Sequence, residues 1–301
     1  MCGIFGWSLS TGGTALSHAK RKILFRALSA ANDTRGGHSW GVYVEDDNRV
    51  YKGIGELADA RFSSAEGKVP FRADQMFAHT RFKTHGEVSL ENAHPFVFDH
   101  IVGAHNGIIY NHTDLNWLHD RKFAVDSMHI FAHIAEGLDL KDLEGYGAIE
   151  YHDTGYPRTT FVGQFGGDLA VAILKDDLGV IWSSEREHLK LALAIARVKP
   201  AQFIAPPKHK LFAAQSGKWC PTDIALPITW APSLFTSWRD FDAKDAVAPK
   251  DPLDVLVLPC EWCSEEEAIR ETKDHDLVCQ DCYDYWLDRT DYEERGTTYA
   301  G

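Results

Sequence analysis

Strand-length apolar runs closed by glycine, asparagine or proline recur along this chain, and they point to an architecture of antiparallel sheets. GDLAVAILKDDLGVIWSS, at 167–184, reads as a hairpin: two apolar strands around a turn at Lys175-Asp176-Asp177. CGIFGWSLS, at 2–10, reads as a buried strand in which Gly3 and Gly6 permit close backbone approach. HSWGVYVED, RVYKGIG, MFAHTRF and HIVGAHNGIIYN read as further strands. Helical spacing appears between them. In SHAKRKILFRALSAAN, Ile23, Leu24, Ala27, Leu28 and Ala31 share one face, and in DSMHIFAHIAEGL so do Met128, Phe131, Ala132 and Ala135. EHLKLALAIAR is a third helix, followed by strand-like pieces broken by prolines up to about Trp230. The alternation predicts an α+β fold rather than a doubly wound sheet. From Trp230 to Pro259 the pattern weakens around Pro232, Pro249 and Pro252, so 231–259 is read as a linker or wrapping arm ending in the strand DVLVLP.

With 301 residues, 44% hydrophobic and 25% charged, the chain has the composition of a globular protein with a sizeable core. No apolar run approaches the roughly 20 residues a membrane span needs, and the N-terminus lacks a signal-peptide pattern. A cytoplasmic protein without a membrane partner is expected. The net charge of -13 is uneven: residues 260–301 hold 13 acidic and 4 basic side chains. No basic face is present to bind a phosphate backbone, so nucleic acid is not an expected partner. The segment 291–301 reads as an acidic tail.

Cys2 directly follows the initiator methionine, where an exposed thiol would be a liability. With Met1 removed, the same residue carries a thiol and a free α-amine, with ordinary pKa values of about 8.5 and about 7.7–8.0. That pair supplies a nucleophile and its base at working pH. Three more motifs follow in order: HTRFKTHGEVSLENAHPF, HNGIIYN and DSMHIFAHI. Each alone has a plainer explanation, since an Asn-Gly pair is most often a hairpin turn and a lone arginine is usually solvated or salt-bridged. Together, and in this order, they resemble the class II glutamine amidotransferases, N-terminal-nucleophile hydrolases, and most of all the glutaminase domain of glucosamine-6-phosphate synthase. The motifs run from Cys2 to about Asp126, and GQFGGDLAVAILKDD extends the likeness towards residue 195.

The resemblance implies a four-layered αββα sandwich over 2–230 and hydrolysis of glutamine to glutamate and ammonia through a γ-glutamyl thioester on Cys2. It also implies roles. Asn106 (side-chain amide) and Gly107 (backbone N–H) take the family's oxyanion positions, and fixed donors there are worth roughly 2.7–4 kcal/mol each. Arg81 takes the position that holds the α-carboxylate of glutamine, in a fork that lysine would not reproduce. Asp126 meets the α-ammonium, Thr84, His85 and Gly86 add polar contacts, and Arg35 takes an ordering position near the nucleophile. The sequence departs from the family at three places: TRFKTHG replaces TRWATHG, so that Phe82 and Lys83 stand for tryptophan and alanine, RGGHS replaces RGYDS, and DSM replaces DTE.

CEWC and CQDC place Cys260, Cys263, Cys279 and Cys282 as two C-x2-C pairs 15 residues apart. That spacing fits a tetrahedral four-cysteine zinc site, and 260–290 is read as a zinc-finger-like module with a structural Zn2+. Redox disulfides and unrelated buried thiols are the alternatives, less suited to a reducing compartment. Cys220 is read as a buried thiol, and His129 and His133, four apart on a helix, as packing or surface histidines. GIGELAD is too short for a dinucleotide loop, and no phosphate loop is present. About 70 residues follow Trp230, too few for an ammonia-consuming domain, so the expected acceptor enzyme is a separate polypeptide. A stand-alone γ-glutamyl amidohydrolase and a non-catalytic glutamine-binding subunit are the other readings.

Overall fold

The computed structural model describes residues 2–11, 16–62, 69–83 and 86–229, with the backbone of 270–271 and 277–278. The strands in chain order are β1 (Gly3–Leu9), β2 (Ser39–Val44), β3 (Arg49–Ile54), β4 (Gln75–Arg81), β5 (Phe96–Phe98), β6 (Ile101–Ile109), β7 (Gly145–Asp153), β8 (Thr159–Gln164), β9 (Ala170–Leu174), β10 (Gly179–Ser183), β11 (Pro200–Ile204), β12 (Lys210–Gln215) and β13 (Lys218–Ala225). The helices are α1 (His18–Asp33), α2 (His112–Leu118), α3 (Met128–Glu136) and α4 (Arg186–Ile195). Two antiparallel sheets result, one ordered β11-β9-β10-β1-β4-β2-β3 and the other β13-β12-β8-β7-β6-β5.

Strand alternation explains the layering. All seven residues of β1 are buried, as a strand covered on both faces must be. Phe5, Trp7 and Leu9 point to a core shared with Leu24, Phe25 and Leu28 of α1 and Leu189 and Leu193 of α4. Ile4 points the other way, into a core between the sheets with Phe77, Val102, Ala148 and Trp182. A third core packs Ile130 and Phe131 of α3 against the outer face of the second sheet. The order is helix, sheet, sheet, helix. Gly6 is required where the sheets meet, because a Cβ there would fall on the Trp182 ring and the Met76 carbonyl.

Every strand and helix read from the sequence within the described residues is present, although α3 begins at Met128, two residues after Asp126. His129 and His133 are fully buried. They pack with His112, His119 and Phe123, as the packing reading has it. The sequence reading lacked β5, β7, β8 and α2. The segments 231–259 and 291–301 lie outside the described residues. So do the four cysteines of 260–290, where only the short ladder of Arg270–Glu271 with Leu277–Val278 (β14 and β15) is described. No helix among the described residues is long and apolar enough to cross a membrane.

Glu150 of β7 is fully buried between the sheets, where its Oε2 accepts from Trp182 Nε1 at 2.6 Å and Oε1 has no hydrogen-bond partner among the described residues. Burial holds its carboxyl well above the ordinary carboxylate range. The folded protein therefore keeps a proton that the unfolded chain releases above about pH 4.3. Stability then falls as pH rises from there towards the folded value. Glu150→Gln removes this penalty while keeping an acceptor for Trp182. Its Tm is expected to exceed that of the wild type at pH 8, with the gap narrowing towards pH 4 in paired thermal melts.

Candidate active site

The site forms where the start of β1, the end of β4 and the middle of β6 converge. Cys2 immediately precedes β1, which pairs with β4 so that Gly3 faces Thr80. That register brings the thiol to the chain just past Arg81: Phe82 N–H donates to Sγ at 3.3 Å, and Sγ donates to Phe82 O at 3.4 Å. Burial pushes the Cys2 thiol above its ordinary value, and the Phe82 N–H and the Arg81 guanidinium offset part of the rise. The resting thiol is therefore protonated at neutral pH, and attack on a carbonyl requires a base.

Arg81 ends β4 and is 2% exposed. Its Nη1 donates to Glu87 O at 3.0 Å. Burial lowers its pKa, with Cys2 and Asp126 acting in the opposite sense, so the three groups lie within electrostatic reach of one another. Asp126 is 2% exposed and accepts the Ile109 N–H at 2.7 Å, which fixes it against the end of β6. Asn106 and Gly107 lie within β6. A Cβ at Gly107 would fall on Tyr146 O and His105 Nε2, so only glycine lets β6 approach β7 this closely. Arg35, just past α1, donates through Nε to Cys2 O at 2.8 Å and pairs with Glu185. Gly86 adopts φ +68°, the left-handed region that glycine tolerates. Thr84 and His85 lie outside the described residues.

Two of the sequence departures lean on each other. The His38 ring packs on Phe82 at 4.9 Å between centroids, and its Nδ1 accepts the Lys83 N–H at 2.9 Å. The third departure also finds a partner, since Ser127 Oγ lies 2.8 Å from His105 Nδ1. Burial pushes His105 down to about 4 and holds His79 and His94 well below the ordinary histidine range. Three neutral imidazoles thus stand behind the site and do not compete with Arg81 for anions.

Ser184, one residue past β10, was singled out by no motif. Asn106 Nδ2 donates to its hydroxyl at 2.9 Å and Ile4 N–H at 2.8 Å. A serine pair ending an apolar strand just before a helix was the available signal. Among the described residues, no group of three or more His, Cys, Asp or Glu side chains is placed to hold a metal ion.

Residues 1–149 match the family described as glutamine amidotransferases class-II. The glutamine–fructose-6-phosphate aminotransferase (isomerizing) of Salmonella typhi is 32% identical over 192 residues, covering 58% of this chain and 30% of that one. The Escherichia coli K12 enzyme of the same name is 37% identical over 116 residues, covering 38% and 18%. The chain thus spans less than a third of the length of these curated relatives. Among solved structures, the allosteric regulatory enzyme of purine biosynthesis superposes with a TM-score of 0.55 at 18% identity, covering 75% of this chain and 50% of that one. Glutamine phosphoribosylpyrophosphate amidotransferase from B. subtilis gives 0.51 at 16% identity, covering 73% and 49%. At those identities the likeness is one of fold.

Proposed function

We propose that this chain hydrolyses glutamine through Cys2, a reading supported by the match of residues 1–149 to the class II glutamine amidotransferases. The observation that carries the reading is the convergence of the Cys2 thiol with Arg81 and Asp126, two opposite charges suited to the two ends of an amino acid. Arg81 takes the α-carboxylate and Asp126 the α-ammonium, and Thr84, His85 and Gly86 are proposed to add polar contacts. Arg35 orders the backbone of Cys2.

With Met1 removed, the Cys2 α-amine accepts the thiol proton as sulfur attacks the side-chain carbonyl. Asn106 Nδ2 and the Gly107 N–H receive the oxyanion. Collapse breaks the C–N bond, the amine returns its proton to the leaving nitrogen, and ammonia departs. Water then cleaves the thioester, giving glutamate and the free thiol. An acceptor enzyme, on a separate chain in this reading, consumes the ammonia. Isolated protein supplied with glutamine should release glutamate and ammonia in equal amounts. A higher kcat/KM on another γ-glutamyl amide would instead support the stand-alone amidohydrolase, and binding without turnover the regulatory subunit.

Cys260, Cys263, Cys279 and Cys282 are proposed to bind one structural Zn2+. The C-x2-C spacing supports this, as does the short ladder of 270–271 with 277–278, which ends one residue before Cys279. Metal analysis is expected to find about one zinc per chain. Exchanging Cys279 and Cys282 for serine should remove the zinc, and zinc-free wild type would rule the module out.

A further inference from the structure

Resting on the proposed hydrolysis, we infer that Ser184 is the positioning residue that holds the Asn106 amide in register with the nucleophile strand. A serine hydroxyl has one proton and two lone pairs. At Ser184 all three are engaged: Oγ accepts Ile4 N–H at 2.8 Å and Asn106 Nδ2 at 2.9 Å, and donates to Ile4 O at 3.4 Å. The Ser184 N–H also donates to Ile4 O at 2.8 Å, so the residue is locked onto the strand two positions beyond Cys2. A cleft of about 470 Å3 borders Ser184. The residue itself is nevertheless 1% exposed, so water does not compete for its lone pairs.

Asn106 stands on the second sheet and Cys2 leads into the first. One hydroxyl therefore ties the oxyanion donor of one sheet to the nucleophile of the other. With the Ser184 proton directed at Ile4 O, only its lone pairs face Asn106, so the NH2 end of the amide turns towards it. One Nδ2 hydrogen is then used by Ser184 and the second is left for the oxyanion. Without the hydroxyl the amide is free to rotate away, and orientation is what such a donor contributes.

The test compares Ser184→Ala and Ser184→Thr with the wild type. Ser184→Ala is expected to lower kcat for glutamine at least about tenfold, part of the roughly 100–1000-fold effect of deleting a whole oxyanion donor. KM should stay within about twofold, because Arg81 and Asp126 hold the substrate. Alkylation of Cys2 by iodoacetamide, followed on the N-terminal peptide by mass spectrometry, should be unchanged, since displacement at carbon needs no oxyanion donor. Ser184→Thr keeps the hydroxyl and should recover most of kcat. In an Asn106→Ala background, Ser184→Ala should cost nothing further. Wild-type kcat in Ser184→Ala overturns the inference, and so does a parallel fall of kcat and Cys2 alkylation in that variant. A wild type without glutaminase activity overturns the parent reading instead.

Discussion

Cys2→Ala is expected to eliminate glutamate release from glutamine, lowering kcat by about four to six orders of magnitude, as loss of a covalent nucleophile does elsewhere. Stability should hardly change, because the residue is half-buried and, among the described residues, its sulfur makes two weak hydrogen bonds, both to the Phe82 backbone. The same measurement separates nucleophile from base. Burial raises the thiol, so the thiolate does not form unaided at neutral pH, and among the described residues no imidazole bonds to the sulfur. The α-amine of Cys2 is the proposed proton acceptor, and with Met1 attached that nitrogen is an amide with no basicity. Protein retaining Met1 is therefore expected to be nearly as inactive as Cys2→Ala, while the processed form turns over. Intact-mass analysis of each preparation, set beside its glutaminase rate, reads this directly. Full activity in Met1-retaining protein would remove the amine from the mechanism.

The parts of this site that local sequence could reveal are those made by local rules. β1 was legible because four of its seven residues are large and apolar within a short run, and α1 because Leu24, Ala27, Leu28 and Ala31 repeat at helical spacing. The hairpin of β9 and β10 needed only two apolar runs and a polar turn. β7 was not legible: GYGAIEYHD mixes glycines, a glutamate and a histidine, all but two of its residues are buried, and its logic is tertiary. Glu150 is tolerated because Trp182 reaches across from the other sheet, and Gly147 is needed because His105 of β6 occupies the space of its Cβ. Ser184 was missed for the same reason. Its partners, Ile4 and Asn106, are distant in sequence and meet only when two sheets stack. His38 and Phe82 each read as an isolated departure, and only the fold shows them in contact.

Arg81 offers the second large effect, and two substitutions divide its roles. Arg81→Lys retains the charge but not the planar fork. Hydrogen bonds to charged groups contribute roughly 1.5–3 kcal/mol each, so loss of the bidentate grip should lower kcat/KM for glutamine by about 10–150-fold. The loss should fall mainly on KM, because the carboxylate is held alike in ground and transition states. Arg81→Met also removes the charge. The guanidinium acts to lower the Cys2 thiol against the rise imposed by burial, so without it the thiol titrates higher still. The pH profile for iodoacetamide alkylation of Cys2 is then expected to move alkaline in Arg81→Met and to stay close to wild type in Arg81→Lys. Arg81 is 2% exposed and also bonds to Glu87 O, so thermal melts must accompany the kinetics. A folded Arg81→Lys protein with wild-type KM would show that the carboxylate of glutamine is held elsewhere, whatever the alkylation profiles do.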